Sequence, residues 1–91
     1  MGEPLLGLGE LSLARRRPEH ALPLLERALT LDDSEYISEI QLTLAEALWQ
    51  LGRDRPRART LADQARASYQ RLGHAVGLAR ASRWLAERPG T

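Results

Sequence analysis

A chain of 91 residues with a formal charge of +1 is one domain at most and has no general drive toward nucleic acid or membranes. Its 43% of hydrophobic residues supply one modest core, necessarily aliphatic because Phe is absent and the only aromatics are Tyr36, Trp49, Tyr69 and Trp84. With no cysteine, disulfides, thiolate metal sites and cysteine nucleophiles are excluded, and the redox compartment stays open.

The first predicted helix runs from Pro4 to Arg16, with Pro4 in the first turn, where its missing N–H is no loss. Leu5, Leu8 and Ser12 on one side, with Leu6 and Leu13 on another, suggest more than one contact face. Gly7 and Gly9 weaken a helix interior, so close approach of a neighbouring helix is expected there. Arg15, Arg16 and Arg17 suit the negative end of the helix, and Pro18 comes directly after them. A second helix, Pro18 to Leu31, carries Ala21, Leu22, Leu25, Ala28 and Leu29 at amphipathic spacing, with Pro23 tolerable in its early turns. Asp32, Asp33 and Ser34 form a short break, and Asp33 or Ser34 can cap the next helix.

The third helix, Tyr36 to Leu51, organises the rest. Ile37, Ile40, Leu44, Leu48 and Leu51 form one apolar stripe, and Leu42, Ala45 and Trp49 form a second, so this helix must be covered on two sides. Gly52 ends it and Pro56 opens a fourth helix to Leu72, antiparallel because the connection is short. Its buried face is predicted as Ala58, Leu61, Ala62, Ala65, Tyr69 and Leu72, with Arg59 and Asp63 spaced to pair on the other side. Gly73 ends it, and a fifth helix, His74 to Arg88, sets Leu78, Ala81, Trp84 and Leu85 inside and Arg80, Arg83 and Glu87 outside, as a terminal helix should.

A shift of 37 residues lays Leu5, Leu8, Gly9, Ser12, Ala21, Leu25 and Ala28 on Leu42, Ala45, Glu46, Trp49, Ala58, Ala62 and Ala65. Large residues early, small ones mid-helix and Ala-x3-Leu-x2-Ala in the second helix resemble the tetratricopeptide repeat, whose helical hairpin recurs about every 34 residues. Glu46 stands where that family has Gly or Ala, and Asp33 and Gln70 where it has Pro. The period is also longer, its additional residues falling between Ala28 and Leu42. The resemblance implies an all-α superhelix of five antiparallel helices: hairpins at 4–31 and 34–72, and a capping helix at 74–88. The repeats begin at Leu5 with no capping hairpin before them, so the chain is expected to be a fragment of a longer array. Chains of similar style form the tails of bacterial signalling proteins such as serine/threonine kinases. A bacterial origin also suits thirteen basic residues that are all Arg, with Asn absent, as in a GC-rich coding sequence.

No chemistry-bearing constellation stands out. His20 and His74 have no carboxylate at a metal-ligand spacing, no glycine-rich loop follows a strand, and no serine has a nucleophile-elbow setting. The chain therefore reads as a non-enzyme without cofactor or metal. Arg15–Arg17 and the alternating Arg53, Arg55, Arg57 and Arg59 could grip phosphate, but twelve acids share the sequence, so nucleic acid is not the expected partner. With no apolar run near the roughly 18 residues of a membrane span and no leader pattern, a soluble cytoplasmic protein is expected.

A protein-binding scaffold remains. In the family it resembles, the first helices of successive hairpins line a groove for an extended peptide or a helix. Here that implies Leu6, Glu10 and Leu13 with Ile40, Thr43, Ala47 and Gln50, a mostly apolar surface. Members that hold a C-terminal carboxylate use Lys and Asn, which this chain lacks. The alternative is a self-associating structural module, in which Leu6, Leu13 and Ile40 pack against further repeats or a second copy.

Overall fold

Two apolar stripes on one helix require two covers, and the chain supplies them. The computed structural model describes residues 2–31 and 37–88, with side chains described for 7–30 and 37–88. Within these are five helices: α1 (Gly2–Ala14), α2 (Pro18–Leu31), α3 (Ile37–Leu51), α4 (Arg55–Leu72) and α5 (Ala75–Ala86). No strand occurs among the described residues. Each helix packs on the next, and α1 also touches α3. The segment holding Asp33 and Ser34, expected to cap α3, lies outside the described residues.

Helix α3 lies between α2 and α4. Ile40, Leu42, Leu44 and Ala45 are fully buried, Leu48 nearly so, and Ile37, Trp49 and Leu51 are half-buried. Ala21, Leu25 and Ala28 of α2 and Ala58, Leu61, Ala62 and Ala65 of α4 complete the core, and these small residues let the helix axes approach closely. Two close approaches depend on glycine. A Cβ on Gly9 would come within 2.7 Å of Leu25, and one on Gly77 within 2.4 Å of the Tyr69 ring. Gly7, expected to serve the same purpose, faces open space. Leu72, placed by periodicity on the buried face of α4, is 66% exposed because the helix ends there and the chain turns away.

The two hairpin turns reveal how the repeats align. In the first, Arg16 has φ 57° and donates to the Leu13 carbonyl, while Arg17 reaches back to Ser12. In the second, Gly52 has φ 65° and donates to Trp49, while Arg53 reaches back to Leu48. These are the same helix-ending turn shifted by 36 residues. Arg17 then also accepts from Ala21 at the start of α2, whereas Asp54, one residue after Arg53, accepts from Ala58 and caps Arg57 N–H with its side chain. Asp54 is thus an additional residue in the second turn. It corrects the uniform shift read from the sequence: α2 and α4 are 37 apart, but α1 and α3 are 36 apart, and Ala45 rather than Glu46 stands where α1 has Gly9. One of the additional residues of the longer period therefore lies in this turn and not between Ala28 and Leu42.

Contacts that skip a helix fasten the stack. Arg57 of α4 donates to both carboxylate oxygens of Glu26 on α2, at 2.6 and 3.0 Å, and Arg80 of α5 pairs with Glu46 of α3 at 3.0 Å. Arg59 does not pair with Asp63, which takes Arg66 at 2.8 Å instead. The Arg59 guanidinium turns to α5 and donates to the carbonyls of Leu85 and Arg88 at the C-terminal end of that helix, where few intrahelical donors remain. At the other end of α5, His74 Nδ1 accepts from Gly77 N–H at 2.9 Å.

Candidate functional site

Most of both apolar stripes of α3 is taken up by its neighbours, which leaves a polar third sector, Glu39, Thr43, Glu46 and Gln50, at three-and-four spacing, with half-buried Trp49 at its edge. This sector floors a cleft of about 260 Å³ lined by Glu10, Leu13 and Ala14 of α1, Thr43, Glu46 and Gln50 of α3, and Arg80 of α5. Four of the seven groove residues expected from the sequence, Glu10, Leu13, Thr43 and Gln50, meet here.

The other three do not line it. Ile40 and Ala47 are fully buried core residues, because α3 is packed between neighbouring helices and these two positions face that packing and not the cleft. The side chain of Leu6 lies outside the described residues. Thr43 is itself fully buried, its hydroxyl donating to the Glu39 carbonyl at 2.7 Å, so it shapes the floor and offers no free group. Among the described residues this cleft is mostly polar rather than apolar as expected, with Leu13 and Ala14 its apolar walls.

Its electrostatics are crowded with carboxylates. Burial is the main reason the Glu10 carboxyl titrates above the ordinary carboxylate range; the charges of Glu39 and Glu46 push it further up, and Arg80 partly opposes them. The same groups reach Tyr69, whose phenol is raised first by burial and then by Glu39, with Arg80 again opposing. One guanidinium, already committed to Glu46, therefore serves three acids.

Beyond Glu46 and Gln50 the groove continues into a second hollow of about 190 Å³, walled by Trp49, Trp84 and Arg88. Here the two indoles meet edge to face at 5.6 Å, with ring planes 77° apart. Arg55 lies over Trp49 at 4.7 Å, and Arg88 over Trp84 at 4.6 Å. Four side chains, from α3, the start of α4, α5 and the residues just after it, form one continuous stack. The helical spacing of Trp49 and Trp84 marks them only as core, and nothing in that spacing places Arg55 over an indole; the Trp84–Arg88 interval of one helical turn is the sole sequence signal for this end. The alternating arginines divide. Arg57 is spent on Glu26, lowering the carboxyl's pKa through their hydrogen bonds, and Arg59 on the end of α5, while Arg53 and Arg55 stay exposed.

Among the described residues no group of three or more His, Asp or Glu is placed to hold a metal ion, and no helix is long and apolar enough to cross a membrane. No family model matches the chain, and neither curated proteins nor solved structures yield a significant match.

Proposed function

We propose that this chain is a non-catalytic interaction module, a tetratricopeptide-like stack that holds a peptide or helix of a partner protein in the groove across α1, α3 and α5. The observation that carries this reading is the continuous groove itself. Three helices separated in sequence present one concave face, polar at the α1 side and indole-walled at the other, whose two hollows share Glu46 and Gln50. A cytoplasmic setting and a place within a larger bacterial signalling protein belong to the same proposal.

Selection of binding peptides from a random displayed library tests it. Selected peptides should compete with one another and lose binding to Leu13→Glu and Gln50→Arg variants whose far-ultraviolet dichroism is unchanged. Peptides that bind those variants as tightly as the parent would overturn the groove as the binding surface.

A second reading has its own observation. Leu8 and Leu11 of α1 are 51% and 47% exposed, while Leu44 and Ala47, their counterparts at the 36-residue shift, are fully buried. The face of α1 that corresponds to one covered in the second hairpin is apolar and open, which suits pairing with a second copy. Sedimentation at several concentrations separates the readings, since a strict monomer removes self-association.

A further inference from the structure

Resting on the groove reading, we infer that the stack Arg55–Trp49–Trp84–Arg88 is the specificity end of the groove, and that it takes the acidic side chains of a bound polypeptide segment. The two guanidiniums each lie over an indole ring, at 4.7 and 4.6 Å, so part of their side-chain freedom is already spent before a ligand binds. Their edges remain able to donate to carboxylates, in the geometry arginine favours. Among the described residues no carboxylate lies within ion-pairing distance of Arg53 or Arg55; Arg88 uses one nitrogen on the Trp84 carbonyl at 3.2 Å and on Glu87 at 3.5 Å, which leaves Arg55 as the uncommitted cation of the stack. The half-buried Trp49 beside them offers apolar area to the side chains that flank an acidic one.

The opposite end of the groove sets the polarity. Glu10 lines the far hollow and Glu46, at the junction of the two, is already paired with Arg80 at 3.0 Å, so the Glu10 carboxylate repels acidic side chains there and orients the segment with its acids toward α5 and the α3–α4 turn. Nucleic acid suits this surface less well. A phosphate backbone needs a run of uncompensated cations, whereas Arg57 and Arg59 are committed within the fold and carboxylates line the remainder.

The chain has two tryptophans, both in the stack, so their emission reads the site directly. The experiment titrates the full chain with two designed amphipathic peptides, capped at both ends and identical at their apolar positions, one with Glu and one with Lys at the polar ones. The Glu peptide should change the tryptophan emission and bind about tenfold more tightly than the Lys peptide, with affinity falling as salt rises. Arg55→Gln should weaken the Glu peptide about threefold and leave helicity unchanged.

Equal or tighter binding of the Lys peptide overturns the acidic preference and leaves the groove standing. If neither peptide alters the emission while library-selected peptides still bind in a Leu13-dependent way, the stack is overturned and the groove survives. If those selected peptides are also indifferent to Leu13→Glu, the groove reading has failed with it. A single-stranded oligonucleotide that binds more tightly than the Glu peptide overturns the assignment in favour of nucleic acid.

Discussion

Gly9 and Ala45 occupy the same place in successive hairpins, yet the helices that carry them live in different surroundings. Helix α3 is covered by α2 on one side and α4 on the other, and its apolar residues are buried almost throughout. Helix α1 has α2 and an edge of α3, and leaves Leu8 and Leu11 in water. The difference arises from position in the stack, since both segments carry leucines around most of their circumference. In a linear array a helix acquires its burial from its neighbours, and each end has one neighbour fewer.

The comparison is broken most forcefully at matched leucines. Leu44→Ala removes a fully buried side chain and should cost about 3 kcal/mol in urea unfolding, whereas Leu8→Ala, its counterpart in α1, should change stability by about 0.5 kcal/mol or less. Equal losses would mean that α1 is covered in solution, as self-association requires.

Glycine contacts come next. Gly77→Ala drives a methyl group into the rigid Tyr69 ring and should destabilise by about 2 kcal/mol, while Gly7→Ala, with nothing within 4 Å, should stabilise by about 1 kcal/mol through helix propensity; thermal midpoints report both.

The two turns give a smaller, opposed pair. Arg16 holds a left-handed conformation that Gly52 fills in the second hairpin, so Arg16→Gly should stabilise and Gly52→Ala destabilise, each by about 1 kcal/mol in chemical unfolding.

The smallest effects are electrostatic and depend on pH. The folded-state pKa of Glu26 is lowered by Arg57, so its contribution is present above the ordinary carboxylate range and is lost as pH falls through the depressed value. Glu10 is the opposite case. Its folded pKa is raised, so ionisation opposes folding at neutral pH and the penalty fades as pH falls through the raised value. Both groups are partly exposed. At neutral pH Glu26→Gln should therefore destabilise and Glu10→Gln stabilise by about 0.5 kcal/mol or less, and both differences should vanish in acid-side unfolding curves.

Much of the architecture was legible because helices announce themselves by period and punctuation. Gly52, Pro56 and Gly73 mark breaks, and the runs Ala21–Leu25–Ala28 and Ala58–Leu61–Ala62–Ala65 identify buried faces that the fold confirms. The register between hairpins was not legible, since one additional residue in a turn leaves the periodicity on both sides intact. Only the hydrogen bonds of Arg17, Arg53 and Asp54 reveal it. The groove was half legible. Facing helices place Glu10, Leu13, Thr43 and Gln50 together, but the angular position of Ile40 and Ala47 does not say that the core takes them first. The Arg55 stack was not legible, because its two arginines reach back across turns to rings that periodicity assigns to the interior.

The pairs Glu26–Arg57 and Glu46–Arg80 each bridge helices that are not consecutive. A hairpin cannot peel off as a unit without breaking one of them, so opening should begin with fraying of single outer helices and progress inward. Amide hydrogen exchange would show this as a protection gradient along the stack, slowest in α3 and fastest in α1, because the last helix is held by Arg59 and the first has no equivalent clasp among the described residues.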